Sequence, residues 1–211
     1  AIDKHGNPIT TKKALAISLL ALMQLNGEAS PLTIQNSAKG VALTGRTLTH
    51  RFALNNAQSG LQDLLQANTN RVLGITDFDK KKAFEGGLHL VTHMAIATTE
   101  ALASKDDSSL AVANFIRRMK TDDAFLQAST LRIKIEGSNQ PDLLIRIGDV
   151  MISQADNATG EFAMELPQGF YLTNEQSLSL TLETPSGANL GIPNEKYKGI
   201  EFTFHGMRAD V

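Results

Sequence analysis

Thr130-Leu-Arg-Ile-Lys-Ile-Glu136 alternates without a break: Leu131, Ile133 and Ile135 fall on one side of an extended chain, Arg132, Lys134 and Glu136 on the other. Successive side chains of a strand point to opposite faces, so this stretch reads as a strand with one face for a core and one for water or a neighbouring subunit. The same period of two recurs at Thr47–Leu54, Leu143/Ile145/Ile147, Phe162/Met164/Leu166, Leu178/Leu180/Leu182 and Ile200/Phe202/Phe204. Arg71–Thr76 and Leu88–Ala97 bring the expected strands to about eight, although the alanines of 88–103 also permit a helix.

Turn residues separate these runs: Gly137–Pro141, Asp156–Gly160, Pro167-Gln-Gly169, Pro185-Ser-Gly187 and Pro193-Asn194. Short strands divided by Gly, Pro and Asn, with no helices between them, indicate antiparallel pairing rather than a parallel α/β sheet. Eight strands in two packed sheets make a single jelly roll, so the expected fold is a mainly β antiparallel sandwich.

Two helices are expected beside it. Ala14–Met23 is the one continuous apolar stretch, with Thr10 or Thr11 to cap it and Gly27 to end it. Its apolar residues cover more than one stripe, Leu15, Leu19 and Leu22 on one and Ile17, Leu20 and Leu25 on another, so it should be buried on several sides, by its own domain or by a neighbouring subunit. Ten residues are too few to cross a membrane that needs about 20. Lys12-Lys13 before the stretch and Ala29 after it imitate a signal peptide, but Asp3 stands in the would-be basic region and the start at Ala1 fits initiator-Met removal. The expectation is a retained arm over 1–40 on a protein made in the cytosol, followed by a sandwich over 41–211. The second helix is expected over about 108–120, capped by Ser108 or Ser109, with Val112, Phe115, Ile116 and Met119 as its stripe.

Composition mainly excludes. A chain of 211 residues, 42% hydrophobic, supports a genuine core, so intrinsic disorder is out. Twenty basic against 22 acidic side chains leave no strong field for nucleic acid. The absence of Cys removes disulfides, thiolate metal sites and Cys nucleophiles.

The motifs that imitate chemistry are weak. Gly40-Val-Ala-Leu-Thr-Gly-Arg-Thr47 has the spacing of a phosphate loop, with Arg46 in the lysine position, but β alternation follows where a helix is required. His89 and His93 on a strand lie about 13 Å apart, too far for one ion. Asp77-Phe-Asp79, Asp106-Asp107 and Asp122-Asp123 match no calcium loop. No catalytic residue, metal or cofactor is expected. Two basic runs, Lys80, Lys81 and Lys82, and Arg117, Arg118 and Lys120, are candidates for phosphate contact on nucleic acid or a lipid headgroup surface.

Asn70–Lys80, Gly86–Val91, Leu166-Pro-Gln-Gly-Phe-Tyr-Leu172 and Tyr197–Gly206 together resemble the jelly-roll capsid and virion proteins of bacterial viruses, particularly the non-tailed ones, over about residues 70–211. The resemblance implies a shell or vertex subunit of a virion that self-associates, contacts other virion proteins and performs no chemistry. In that setting Leu15, Leu19 and Leu22 are the candidate assembly arm. The alternative is a carbohydrate- or ligand-binding attachment module, which Tyr171, Tyr197 and an absence of Trp furnish poorly with stacking platforms.

Overall fold

In the computed structural model the described residues are 17–21, 23, 42–56, 59–83, 85, 87–117, 123–155, 163–187 and 191–210. The strands are β1 (Ala42–Leu54), β2 (Leu61–Asp63), β3 (Phe78–Asp79), β4 (Lys82–Ala83), β5 (Leu88–Leu102), β6 (Ile116–Arg117), β7 (Thr130–Glu136), β8 (Leu143–Arg146), β9 (Met164–Leu172), β10 (Ser177–Glu183) and β11 (Tyr197–Asp210). The helices are α1 (Asp107–Val112), α2 (Ala124–Gln127) and α3 (Ile147–Ala155), and residues 17–21 and 23 are helical.

One sheet runs β1-β11-β5, with β9 and β6 side by side along the far edge of β5; the other runs β2-β10-β7-β8. All pairings between these strands are antiparallel. Set aside the β3–β4 hairpin and β6, and the pairs nest: β1 with β11, β2 with β10, β5 with β9, β7 with β8. Each strand pairs with its counterpart counted from the other end of the chain, as in one long antiparallel ribbon rolled into two sheets, and this is the expected jelly roll.

The alternating residues fill the space between the sheets. Leu131, Ile133 and Ile135 of β7 and Leu178, Leu180 and Leu182 of β10 meet Leu48, Met94, Ile96, Ile200, Phe202 and Phe204 from the opposite sheet. Burying each such side chain contributes roughly 1.5–3 kcal/mol. Phe78 and Phe170 stand edge-on to Phe204, with centroids 6.5 and 5.9 Å away, offsetting the low aromatic content by concentrating it in one place.

The roll has a second apolar surface. At Thr92 the registers of β5 with both β11 and β9 slip, and the faces of the strand exchange. Val91, paired with Phe170, faces the main core; Leu90, paired with Tyr171, faces outward. On that outer face Leu88, Leu90, Tyr171 and Ala209 pack against Leu19, Leu20 and Met23 of the N-terminal helical turns. A one-residue slip moves a strand's side chains to the opposite face, and here it creates the seat for the helix.

Several expectations are corrected. The inserted helix does not span 108–120: α1 ends at Val112, Ala113 is extended, and Ile116-Arg117 is the strand β6 opposite Ala97 and Thr98. Phe115 belongs to no helical stripe because it lies under the Arg51 guanidinium, 4.4 Å from its ring centroid, while Val112 is 86% exposed. Ile147 begins α3 instead of ending a strand, since Ile147, Val150 and Met151 are an i, i+3, i+4 set that is buried together. Arg71–Thr76 is a turn with isolated bridges at Val72 and Thr76, reversing at Gly74 with φ +79. Pro167-Gln-Gly169 is no turn but lies inside β9, where the register slip leaves it out of the ladder.

Candidate functional surfaces

A cavity of about 590 Å³ opens beside β1 between the 64–76 loop and the start of α1. His50 lines it together with the polar side chains of Gln66, Asn70, Lys105 and Asp107. His50 Nε2 lies 3.1 Å from the Leu64 carbonyl, which can only accept, so this nitrogen carries the proton. Nδ1 then accepts from the Thr76 hydroxyl at 3.1 Å, and that oxygen in turn accepts the Phe78 N–H at 3.2 Å. Burial lowers the His50 pKa to about 4, against the Leu64 hydrogen bond that favours the charged form. Both nitrogens are engaged and burial favours the neutral ring, so His50 ties β1 to the 64–76 loop.

His89 and His93 also hold hydrogen bonds within the chain. His89 Nε2 lies 2.8 Å from the Glu85 carbonyl, and its pKa is lowered by burial and by the nearby Arg208 and Arg46, against the Glu85 carbonyl and carboxylate. His93 Nδ1 and the Thr92 hydroxyl are hydrogen-bonded at 2.8 Å. Among the described residues no group of three His, Cys, Asp or Glu is placed to hold a metal ion. Gly45, Arg46 and Thr47 lie within β1, so the phosphate-loop spacing is not followed by a helix. The Arg46 guanidinium instead meets the Glu85 carboxylate at 2.7 Å, whose other oxygen takes Arg208 at 3.2 Å.

Asp77, Asp79 and Asp123 of the acidic stretches hold contacts within the chain. Asp77 accepts the Thr49 N–H at 2.9 Å, Asp79 accepts that of Arg71 at 3.4 Å, and Phe78 between them is fully buried. Asp123, 5% exposed, pairs with Lys198.

The two basic runs are not brought together. Lys80–Lys82 form the tip and return of the β3–β4 hairpin, where the Lys81 carbonyl accepts the Leu178 N–H and extends the edge of β10. Lys80 and Lys81 both have positive φ, 47° and 67°, as a two-residue type I′ turn requires, although Asn-Gly is the usual occupant. Lys80 and Lys82 are exposed, and Lys81 reaches Glu136 at 3.6 Å. Arg117 sits on β6, at an edge of the opposite sheet. Arg118 and Lys120 lie outside the described residues, as do Leu15 and Leu22 of the expected arm; Leu19 is buried against the chain's own sheet.

What the sequence reading did not assemble is the outer face of the four-stranded sheet. The register aligns Leu61, Glu183, Thr130 and Arg146 in one row across β2, β10, β7 and β8, and Asp63, Thr181, Arg132 and Leu144 in the next. Asp63 and Glu183 stand on β2 and β10, the cations Arg132, Lys134 and Arg146 on β7 and β8, and the one acid on the β7 side, Glu136, is paired with Lys81. Alternation placed Arg132 and Lys134 on a wet face, but only the strand order shows that the face is divided by charge.

No family model, no curated protein and no solved structure matches this chain. No helix among the described residues is long and apolar enough to cross a membrane.

Proposed function

We propose that the chain is a non-catalytic structural subunit of a bacterial virus particle, a capsid shell or vertex protein that assembles with copies of itself and with other virion proteins. The observation that carries the reading is the complete nested jelly roll, built around one apolar core and joined to an N-terminal helix seated on one outer face. Closed shells repeat one interface many times, so modest contacts suffice and a flat strand face is adequate. The hydrogen bonds that engage both nitrogens of His50, a buried group lining the cavity beside β1, support a role without chemistry. Exposed Lys80 and Lys82 suit weak, salt-sensitive contact with packaged nucleic acid or an internal membrane surface.

The test is native mass by light scattering and electron microscopy over a range of protein concentrations. Uniform closed particles or discrete oligomers are the expected result; a monomer at every concentration overturns the reading. The cavity beside β1 favours a second reading, a ligand- or carbohydrate-binding attachment module. Specific retention of a glycan by a monomeric protein would establish it.

A further inference from the structure

From the charge division described above we infer that the outer face of the β2-β10-β7-β8 sheet is a two-fold interface between copies of this chain, an inference that rests on the self-assembly reading. Asp63 and Glu183 are exposed on the β2–β10 half, and Arg132, Lys134 and Arg146 on the β7–β8 half. Among the described residues none of these three cations has an ion-pair partner, and the remaining acid of the face, Glu136, is answered within the chain by Lys81. The face is therefore complementary to itself. A two-fold axis in the plane of contact, parallel to the strands and between β10 and β7, lays β2 over the partner's β8 and β10 over the partner's β7. Asp63 and Glu183 then lie within reach of the partner's Arg132 and Arg146, and each pair occurs twice.

Two further features suit this occupant. Leu61 and Leu144, 70% and 64% exposed, stand at opposite edges of the face, and the same rotation places Leu61 over the stem of the partner's Arg146 and Leu144 over the partner's edge strand β2 at Asp63. Between them β10 presents only Ser177, Ser179 and Thr181, short side chains that let two sheets approach. The patch measures roughly 15 by 20 Å from strand spacings, a few hundred Å² per partner. This is below the ~800 Å² per partner of a stable isolated dimer, so the contact is weak alone and effective when repeated.

The experiment uses the full chain and two variants: D63K/E183K, which makes both halves basic, and R132E/R146E, which makes both acidic. Thermal midpoints check that each still folds, and sedimentation velocity reads mass in low and high salt. The expected result is that wild type associates more weakly as salt rises, each variant alone sediments as a smaller species, and an equimolar mixture regains the wild-type mass. If both variants keep the wild-type mass, or if the mixture stays small, this interface is wrong while self-assembly through another face survives. A wild type that is monomeric throughout overturns the self-assembly reading itself. Should a reversal disturb folding, the milder D63N/E183Q must still weaken association, and an unchanged mass there rejects the interface.

Discussion

Gly206→Ala is expected to be among the most damaging single substitutions in the chain. Gly206 sits at the register slip of β11 against β5, and a Cβ built on it would lie 1.9 Å from the Leu90 carbonyl oxygen and 2.9 Å from Val91 Cα. Carbon and oxygen rest no closer than about 3.3 Å, so the two backbones must part by more than 1 Å. Neither strand is free to move: β11 is held on its other side by β1, and Leu90 pairs with Tyr171 of β9. Separation at this point gives up about two ladder hydrogen bonds, about 1 kcal/mol each, and adds packing strain of about 1–3 kcal/mol. The sum is about 3–5 kcal/mol out of a total stability of roughly 5–15 kcal/mol, a fall in Tm on the order of 10 °C for a chain of this size. Urea unfolding followed by circular dichroism measures it. Gly45→Ala is the control, because nothing lies within 4 Å of its Cβ and alanine within a strand is favoured by roughly 0.5–1 kcal/mol. A Gly206→Ala cost below about 1 kcal/mol, or one equal to the control, would refute the argument that close strand approach at the bulge requires glycine.

Three other outcomes are expected. The folded His50 pKa of about 4 lies below the unfolded value of 6.5, so the unfolded chain binds the extra proton between these limits and stability falls as pH drops through that window. The loss amounts to roughly 3 kcal/mol by pH 4; His50→Gln should show a flatter dependence of the urea midpoint on pH, and an identical slope would remove His50 as the cause. Replacing the strained tip with Lys80→Asn and Lys81→Gly should raise stability by about 1 kcal/mol, since left-handed backbone costs an ordinary residue about 1–2 kcal/mol; destabilisation in a calorimeter would show that the lysines make compensating contacts. Leu20→Ala, at a fully buried position, should cost about 2–3 kcal/mol, and no change in Tm would mean that the N-terminal helix contributes nothing to folding.

Much of the roll was legible because a half-buried strand has to alternate. In β7 the burial of Leu131, Ile133 and Ile135 and the exposure of Arg132, Lys134 and Glu136 follow the sequence residue by residue. Where both sides of an element are covered, alternation vanishes: Leu88–Thr99 of β5 is buried throughout, so its alanines and leucines read equally as helix or strand. The α3 helix was hidden for a related reason, since Leu143, Ile145 and Ile147 continue a period of two across the boundary and only Val150 and Met151 disclose the change. β2 has three residues, too few to show any period. The charge-divided face was hidden differently. Each member was visible as an exposed polar residue, but Asp63 and Arg132 become neighbours in one row only through pairings between strands far apart in the chain.

The slip at Thr92 also bears on which surface is left for partners. By turning Leu90 and Tyr171 outward it gives the five-stranded sheet an apolar patch at one end, and the chain covers that patch with Leu19, Leu20 and Met23. Toward the β6 end of the same sheet's outer side, Arg51 joins Glu201 at 2.7 Å and is capped by Phe115 and by the carbonyls of Leu110 and Ala111. One sheet is thus clothed by its own chain at both of these places, whereas the outer face of the other carries exposed leucines at its edges and cations without partners among the described residues. Removal of the N-terminal helix therefore bares Leu88, Leu90 and Tyr171 before it alters any contact between copies. A failure to assemble after such a truncation reports stability first, and charge reversal on the four-stranded sheet is the cleaner probe of association.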